Sequence, residues 1–228
     1  MSKGKSILAL ALLVPAPSIG VLAAMVLFPG TMTGQALFAA SKVWLFAFPL
    51  VWLPMVDRKP FSLSPVRKGG LKAGLLTGVG ISLLIILSYF MFGQGLIDRT
   101  LFAGKMHAMG LDTGPVYLGC AAYWILVNSV LEEYVWRWFV YTRCEALAKP
   151  AVAVVLSSLC FTLHHIVALQ TYFALPLTAI CSLGICAGGV VWSCMYQRYR
   201  SIWPGYLSHA IVDLAVFGIG AYLLFGRP

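Results

Sequence analysis

Acidic side chains are scarce in this chain, with seven Asp and Glu among 228 residues. Charged residues of both signs amount to 10%, against about 25% in an average soluble domain. Hydrophobic residues reach 61% and mean hydropathy is +0.89. A water-soluble globule is excluded, and the composition is that of an integral membrane protein. No polar stretch is long enough to fold by itself, so residues 1–228 are expected to form one membrane domain. None of the six cysteines forms a Cys-x-x-Cys pair, which argues against a disulfide framework or a thiol nucleophile. Internal repeats and low-complexity tracts are lacking. Gly-x-Ser-x-Gly and His-Glu-x-x-His are absent, and no Ser/Lys or Ser/His pairing competes as a nucleophile. The net charge of +9 comes without a basic run interleaved with aromatics in a polar context, so no nucleic-acid partner is expected.

What is present is a series of long apolar runs. A membrane-crossing helix needs about 20 such residues. Candidates lie at 7–28, 36–56, 72–93, 116–139, 151–169, 173–196 and 204–225, separated by Pro29-Gly30, the 57–71 segment, Lys149-Pro150 and Trp203-Pro204-Gly205. The expected fold is an all-α, polytopic helical bundle of about seven transmembrane helices, within bounds of six and eight. The first apolar run exceeds the 7 to 15 residues of a signal-peptide core, so it is read as a retained span. Lys3, Lys5, Arg58, Lys59, Arg67, Lys68, Lys72, Arg143, Lys149, Arg198 and Arg200 fall on one set of alternate loops. Arg99, Lys105 and Arg227 fall on the other. Cations collect in cytoplasmic loops, which places the N-terminus in the cytoplasm and the C-terminus outside. Lys42 lies inside the second span and is expected to snorkel to the interface.

Six of the eleven acidic and histidine residues fall in three clusters inside apolar segments: Glu132-Glu133 with Arg137, His164-His165 after Phe161, and His209 with Asp213. Ionisable groups are expensive in a bilayer and mark reaction sites or transport paths there. Each cluster holds an i, i+4 pair, whose members share a helix face: Glu133 with Arg137, Phe161 with His165, His209 with Asp213. Glu132 points about 100° away from Glu133. Glu133 is therefore expected to neutralise Arg137, leaving Glu132 free as a base. By the same spacing His165 is the reactive histidine and His164 a packed bystander.

Measured from the Lys149-Pro150 turn, Glu133 and His165 lie at similar depth, roughly 24 Å away. His209 is only five residues past Pro204. Convergence requires the 134–149 end of the fourth helix to project beyond the bilayer and the fifth span to be short, with Ala168–Ala174 dipping into the membrane. The assembled set is one Glu, two His and one Asp. Glu and His can hold and deprotonate a water, while a second His with a protonated Asp can donate to an oxyanion. That is peptide-bond hydrolysis by activated water.

The three motifs resemble those of the CPBP family, the glutamate-type intramembrane proteases that include the type II CAAX prenyl proteases and bacterial Abi-like proteins. That family carries Glu-Glu-x-x-x-Arg, Phe-x-x-x-His and His-x-x-x-Asn or Asp, in that order, on separate helices. The resemblance covers about residues 116–215, the expected catalytic core. It implies Glu132 as general base, His165 as its partner on the water, His209 and Asp213 as the oxyanion site, and Glu133 with Arg137 as a supporting ion pair. It also implies a membrane-anchored protein or peptide substrate, cleaved near its C-terminus, and the plasma membrane of a bacterium. Asp213 stands where prenyl proteases usually have Asn; an ionised Asp cannot donate, so it is either protonated or orients His209. No cofactor is expected. A zinc protease using Glu132, His165 and His209 as ligands is the alternative, and a proton-coupled transporter or non-catalytic membrane protein is a third reading.

Overall fold

The computed structural model describes residues 2–226; Met1, Arg227 and Pro228, and with them the third outer cation, lie outside the described residues. The described residues form helices and connecting loops, without strands. Seven helices are long and apolar enough to cross a membrane: α1 (Lys3–Leu27), α2 (Met32–Asp57), α3 (Leu71–Gly93), α5 (Gly114–Glu145), α6 (Pro150–Gln170), α7 (Leu175–Tyr199) and α8 (Trp203–Phe225). A shorter helix, α4 (Arg99–Ala108), lies between α3 and α5. The chain is a multi-pass integral membrane protein.

Local chemistry sets the boundaries. Ser2, Thr31 and Asp98 cap α1, α2 and α4, each accepting a backbone N–H three residues on, which satisfies one of the otherwise unpaired amides of a first turn. Proline opens α5, α6, α7 and α8, where its missing N–H costs nothing. The chain turns off α2 and α7 at Arg58 and Arg200, both left-handed with φ near 54° and 51°. Two boundaries differ from the sequence expectation. α5 continues to Glu145 instead of stopping near 139, because its polar last turn is paired: Arg143 with Asp57 of α2, and Glu145 with Arg200 through two bonds of 2.6 and 2.7 Å. α4 carries Arg99, Lys105 and His107, so it has no apolar run to announce it.

The two ends of the bundle are chemically distinct. At one end Lys5 donates to the Val56 carbonyl at 2.9 Å, beside the Asp57–Arg143 and Glu145–Arg200 pairs. There the 57–70 loop is pinned by Ser201 Oγ donating to the Ser64 carbonyl and by Ile202 N donating to Ser64 Oγ. At the other end Arg99 donates to the carbonyls of Tyr222, Leu223 and Gly226 at the end of α8, and Lys105 donates to the Thr171 carbonyl after α6. α4 is thus a strap joining the ends of α6 and α8. Helices α3 and α8 approach closely along Gly70, Gly74 and Gly78. A Cβ on Gly78 would meet Ser208 Cα at 2.9 Å, and one on Gly74 would meet Pro204 Cα at 3.2 Å. Small residues at four-residue spacing permit such backbone contact in a membrane. Ser82 extends the face, donating to the Ile211 carbonyl at 3.0 Å.

Candidate active site

The three clusters meet in the interior of the bundle. α5 supplies Glu132 and Glu133, 4% and 0% exposed; α6 supplies Phe161, His164 and His165; α8 supplies His209 and Asp213. The Ser129–Glu133 turn of α5 is flanked by two wide π-helical turns, Trp124–Asn128 and Tyr134–Tyr141. Such turns break the 3.6-residue register and recur at functional sites. The two carboxylates diverge as their spacing predicts. Glu133 Oε1 lies 3.4 Å from Arg137 Nε and 3.1 Å from His209 Nδ1. Gly205 of α8 leaves room for it, since a Cβ there would collide with the Glu133 carboxylate. The Arg137 guanidinium sits over the Phe161 ring at 4.5 Å and the Trp192 ring at 5.1 Å.

Glu132 turns to the other side. One atom each of Glu132, His164 and His165 lie within 4.8 Å of one another. His165 Nδ1 is 3.0 Å from the Phe161 carbonyl. A carbonyl only accepts, so Nδ1 carries the proton and, in the neutral ring, Nε2 keeps its lone pair. The Phe161 and His165 rings touch, with centroids 4.6 Å apart. His209 Nε2 lies 3.9 Å from Glu132 Oε2 and 3.7 Å from Asp213 Oδ1. Asp213 Oδ2 is 2.6 Å from Ser129 Oγ. That hydroxyl also lies 2.9 Å from the Trp124 carbonyl. Of the two acceptors an ionised carboxylate is the stronger, which favours donation to Asp213.

The convergence of depths has a simple basis. His165 lies five residues before the end of α6, about 8 Å, whereas Glu132 lies 18 residues from the start of α5, about 27 Å. On the side away from the N-terminus, α6 therefore ends well short of α5, although its 21 residues are enough to cross a membrane, and the Lys105 side chain of the strap reaches the Thr171 carbonyl just past it. On the opposite side α5 runs about 18 Å beyond Glu133, while α8 begins only six residues before His209.

His164 is buried and packed, its ring stacked on Trp136 (5.4 Å, 10°) and 4.0 Å from the His165 ring, and one of its ring nitrogens also lies within 4.8 Å of Glu132. Imidazoles 100° apart on one helix flank a carboxylate seated opposite the groove between them, so neither is excluded by spacing. Lys42 does not snorkel. Its Nζ points into the bundle, 3.3 Å from Asn128 Oδ1 and 3.9 Å from Glu132 Oε1. Its position ten residues into an apolar helix was the available signal, because a lysine so far from either end needs a partner. Trp192, which stacks on His209 at 4.0 Å and 16° and donates to Ser208 Oγ at 3.0 Å, had no sequence signal beyond being aromatic.

For a metal, the donor set that comes together among the described residues is Glu132, His164 and His165; in the alternative set of Glu132, His165 and His209, His209 places Nδ1 against Glu133.

Residues 114–215 match the pattern of the family described as Type II CAAX prenyl endopeptidase Rce1-like. That segment is similar to the Rce1-like family. Neither curated proteins nor solved structures give a match. The Rce1-like segment begins at the first residue of α5 and ends within α8, so it holds every motif residue of the site. Likeness to a protease family supports protease activity, and the seven apolar helices belong to a membrane protein. Lys42 lies outside the Rce1-like segment.

Proposed function

We propose that this protein is an intramembrane endopeptidase that hydrolyses a peptide bond near the C-terminus of a membrane-attached protein or peptide, with Glu132 as general base. The observation that carries the reading is the approach of the Glu132 carboxylate to a ring nitrogen of His165. Donor atoms within 4.8 Å can share one water, because each hydrogen bond spans about 2.8 Å. Glu132 takes a proton from that water as its oxygen attacks the carbonyl carbon, and the same carboxyl returns the proton to the departing amine. The tetrahedral oxyanion needs donors already in place. His209 fills this role through Nε2. Since its Nδ1–H is held by Glu133, the ring must carry both protons, and Glu133 and Asp213 balance that charge from either side. Asp213, accepting a hydrogen bond from Ser129, serves as an acceptor that orients His209, not as a second oxyanion donor. This is the chemical sense of Asp where prenyl proteases usually carry Asn. The membrane is read as the plasma membrane of a bacterium, after the likeness to the shorter members of the family.

A zinc-dependent reading draws on the Glu132, His164 and His165 cluster. Against it stands Lys42, whose ammonium already lies beside Glu132 and would repel a dication. Loss of turnover on chelation, restored by zinc, would favour the metal; turnover indifferent to both supports activated water alone.

The decisive test reconstitutes the full chain in liposomes with a farnesylated peptide ending in Cys-aliphatic-aliphatic-X, and with the same peptide unprenylated but tethered by an apolar helix. Glu132→Gln should abolish cleavage of whichever peptide is cut while expression stays normal. Wild-type turnover by that variant would sink the mechanism. Comparing the membrane proteomes of cells carrying wild type or Glu132→Gln would then identify the natural substrate.

A further inference from the structure

Lys42 is a cation placed where a lysine cannot reach water along its own helix. It lies ten residues into α2, about 15 Å from one end and about 22 Å from the other. Its side chain is 22% exposed. The stem runs between aromatic rings, with Nζ 5.8 Å from the Phe38 centroid and 5.6 Å from that of Phe46. The ammonium meets two α5 side chains one turn apart, Asn128 Oδ1 at 3.3 Å and Glu132 Oε1 at 3.9 Å. Asn128 is itself 4% exposed.

Each of these neighbours has a chemical reason to be there. An ammonium carries three donors and no acceptor, and in an apolar span each donor needs an acceptor. Asn128 supplies one without adding charge. Glu132 supplies a second and is the one carboxylate at the site whose own helix offers it no cation, since Arg137 is taken by Glu133. The two oxygens of Glu132 are thereby distinguished: Oε1 faces Lys42, and Oε2 faces His209 Nε2.

We propose that Lys42, seated by Asn128, is the counter-ion and positioning residue of Glu132: it fixes Oε1 and leaves Oε2 to the reacting water. This rests on the reading of Glu132 as general base. It also makes α2 part of the catalytic unit, although the Rce1-like segment starts only at α5. Lys42 touches no reacting atom and acts through Glu132.

The test separates the ion pair from the activity. Unfolding midpoints of the full-length protein in detergent are measured for wild type, Lys42→Met, Glu132→Gln and the double variant, a cycle that isolates the coupling of two residues. Lys42→Met should lower the midpoint by about 5 °C in the wild-type background and by less than about 2 °C in the Glu132→Gln background. Equal shifts in both backgrounds would overturn the pairing. In liposomes with the farnesylated and helix-tethered peptides, Lys42→Met should reduce kcat at least about tenfold with KM unchanged, and Lys42→Arg should recover most of it. A rise in KM with kcat intact would overturn the positioning role. Coupling in the cycle with no cleavage of either peptide by wild type would leave the ion pair standing and count against the endopeptidase reading instead.

Discussion

Glu132 and Glu133 are adjacent, both buried and chemically identical, yet they cannot be exchanged. Glu133 is enclosed by Arg137, His209 and the bare backbone of Gly205, and no histidine of α6 reaches it. Glu132 faces Lys42, His164 and His165. Replacing Glu133 by Gln leaves the Arg137 guanidinium buried without its carboxylate. Breaking a buried pair by removing one partner costs about 3–5 kcal/mol. Glu133→Gln should therefore lower the denaturation midpoint markedly, with activity per folded molecule falling less than in Glu132→Gln. Normal stability with selective loss of turnover would mean that the two carboxylates have been assigned the wrong way round. This division was legible in the sequence because it follows from a 100° step along a helix. The proximity of His164, Trp192 and Lys42 was not, because each depends on which helix lies opposite.

At the scale of the element, the site depends on how closely α8 lies against α3. His209 is positioned by a helix whose neighbouring turn, at Ser208, packs on Gly78. Ser208 also accepts from Thr77 at 3.1 Å and from Trp192. A side chain at position 78 would push the helices apart and shift His209 relative to Glu133. Overpacking of this kind costs about 1–3 kcal/mol. Gly78→Val should therefore lower stability by that order and reduce kcat, whereas Gly80→Val, where a Cβ meets nothing within 4 Å, should leave both near wild type. A variant at 78 with unaltered stability and turnover would show that the contact is not limiting. The seven spans were legible as apolar runs. The π-helical turns around Ser129–Glu133 and the α4 strap were not, the first because no residue type signals a widened turn, the second because α4 is held by side-chain bonds to distant carbonyls.

For the molecule as a whole, the charges sort themselves along the bundle axis. Lys5, Arg143 and Arg200 are paired at the end that carries the N-terminus and the 57–70 loop, and Arg99 and Lys105 are tied down at the other. With eleven cations expected on the first side, that side should face the cytoplasm. In a chain freed of its own cysteines, a membrane-impermeant thiol reagent applied to intact cells should label Cys introduced at His107 and spare Cys introduced at Lys68. The reverse pattern would invert the topology. Near the His107 end, the Asp112 carboxyl is held below its ordinary range by its hydrogen bond to the exposed His107 ring.

The sequence by itself determined the class of molecule, the number of spans and the motif residues of the candidate site, because hydrophobic length and helical spacing are local properties. It also determined that the adjacent carboxylates must face different ways. Tertiary structure decided what each of them faces. Glu132 and His165 are brought level because α5 outruns α6, His164 joins them, and Lys42 arrives from a helix 90 residues earlier in the chain. No periodicity along one helix encodes the neighbour that closes its ion pair; that is set by which helices pack together and at what relative height.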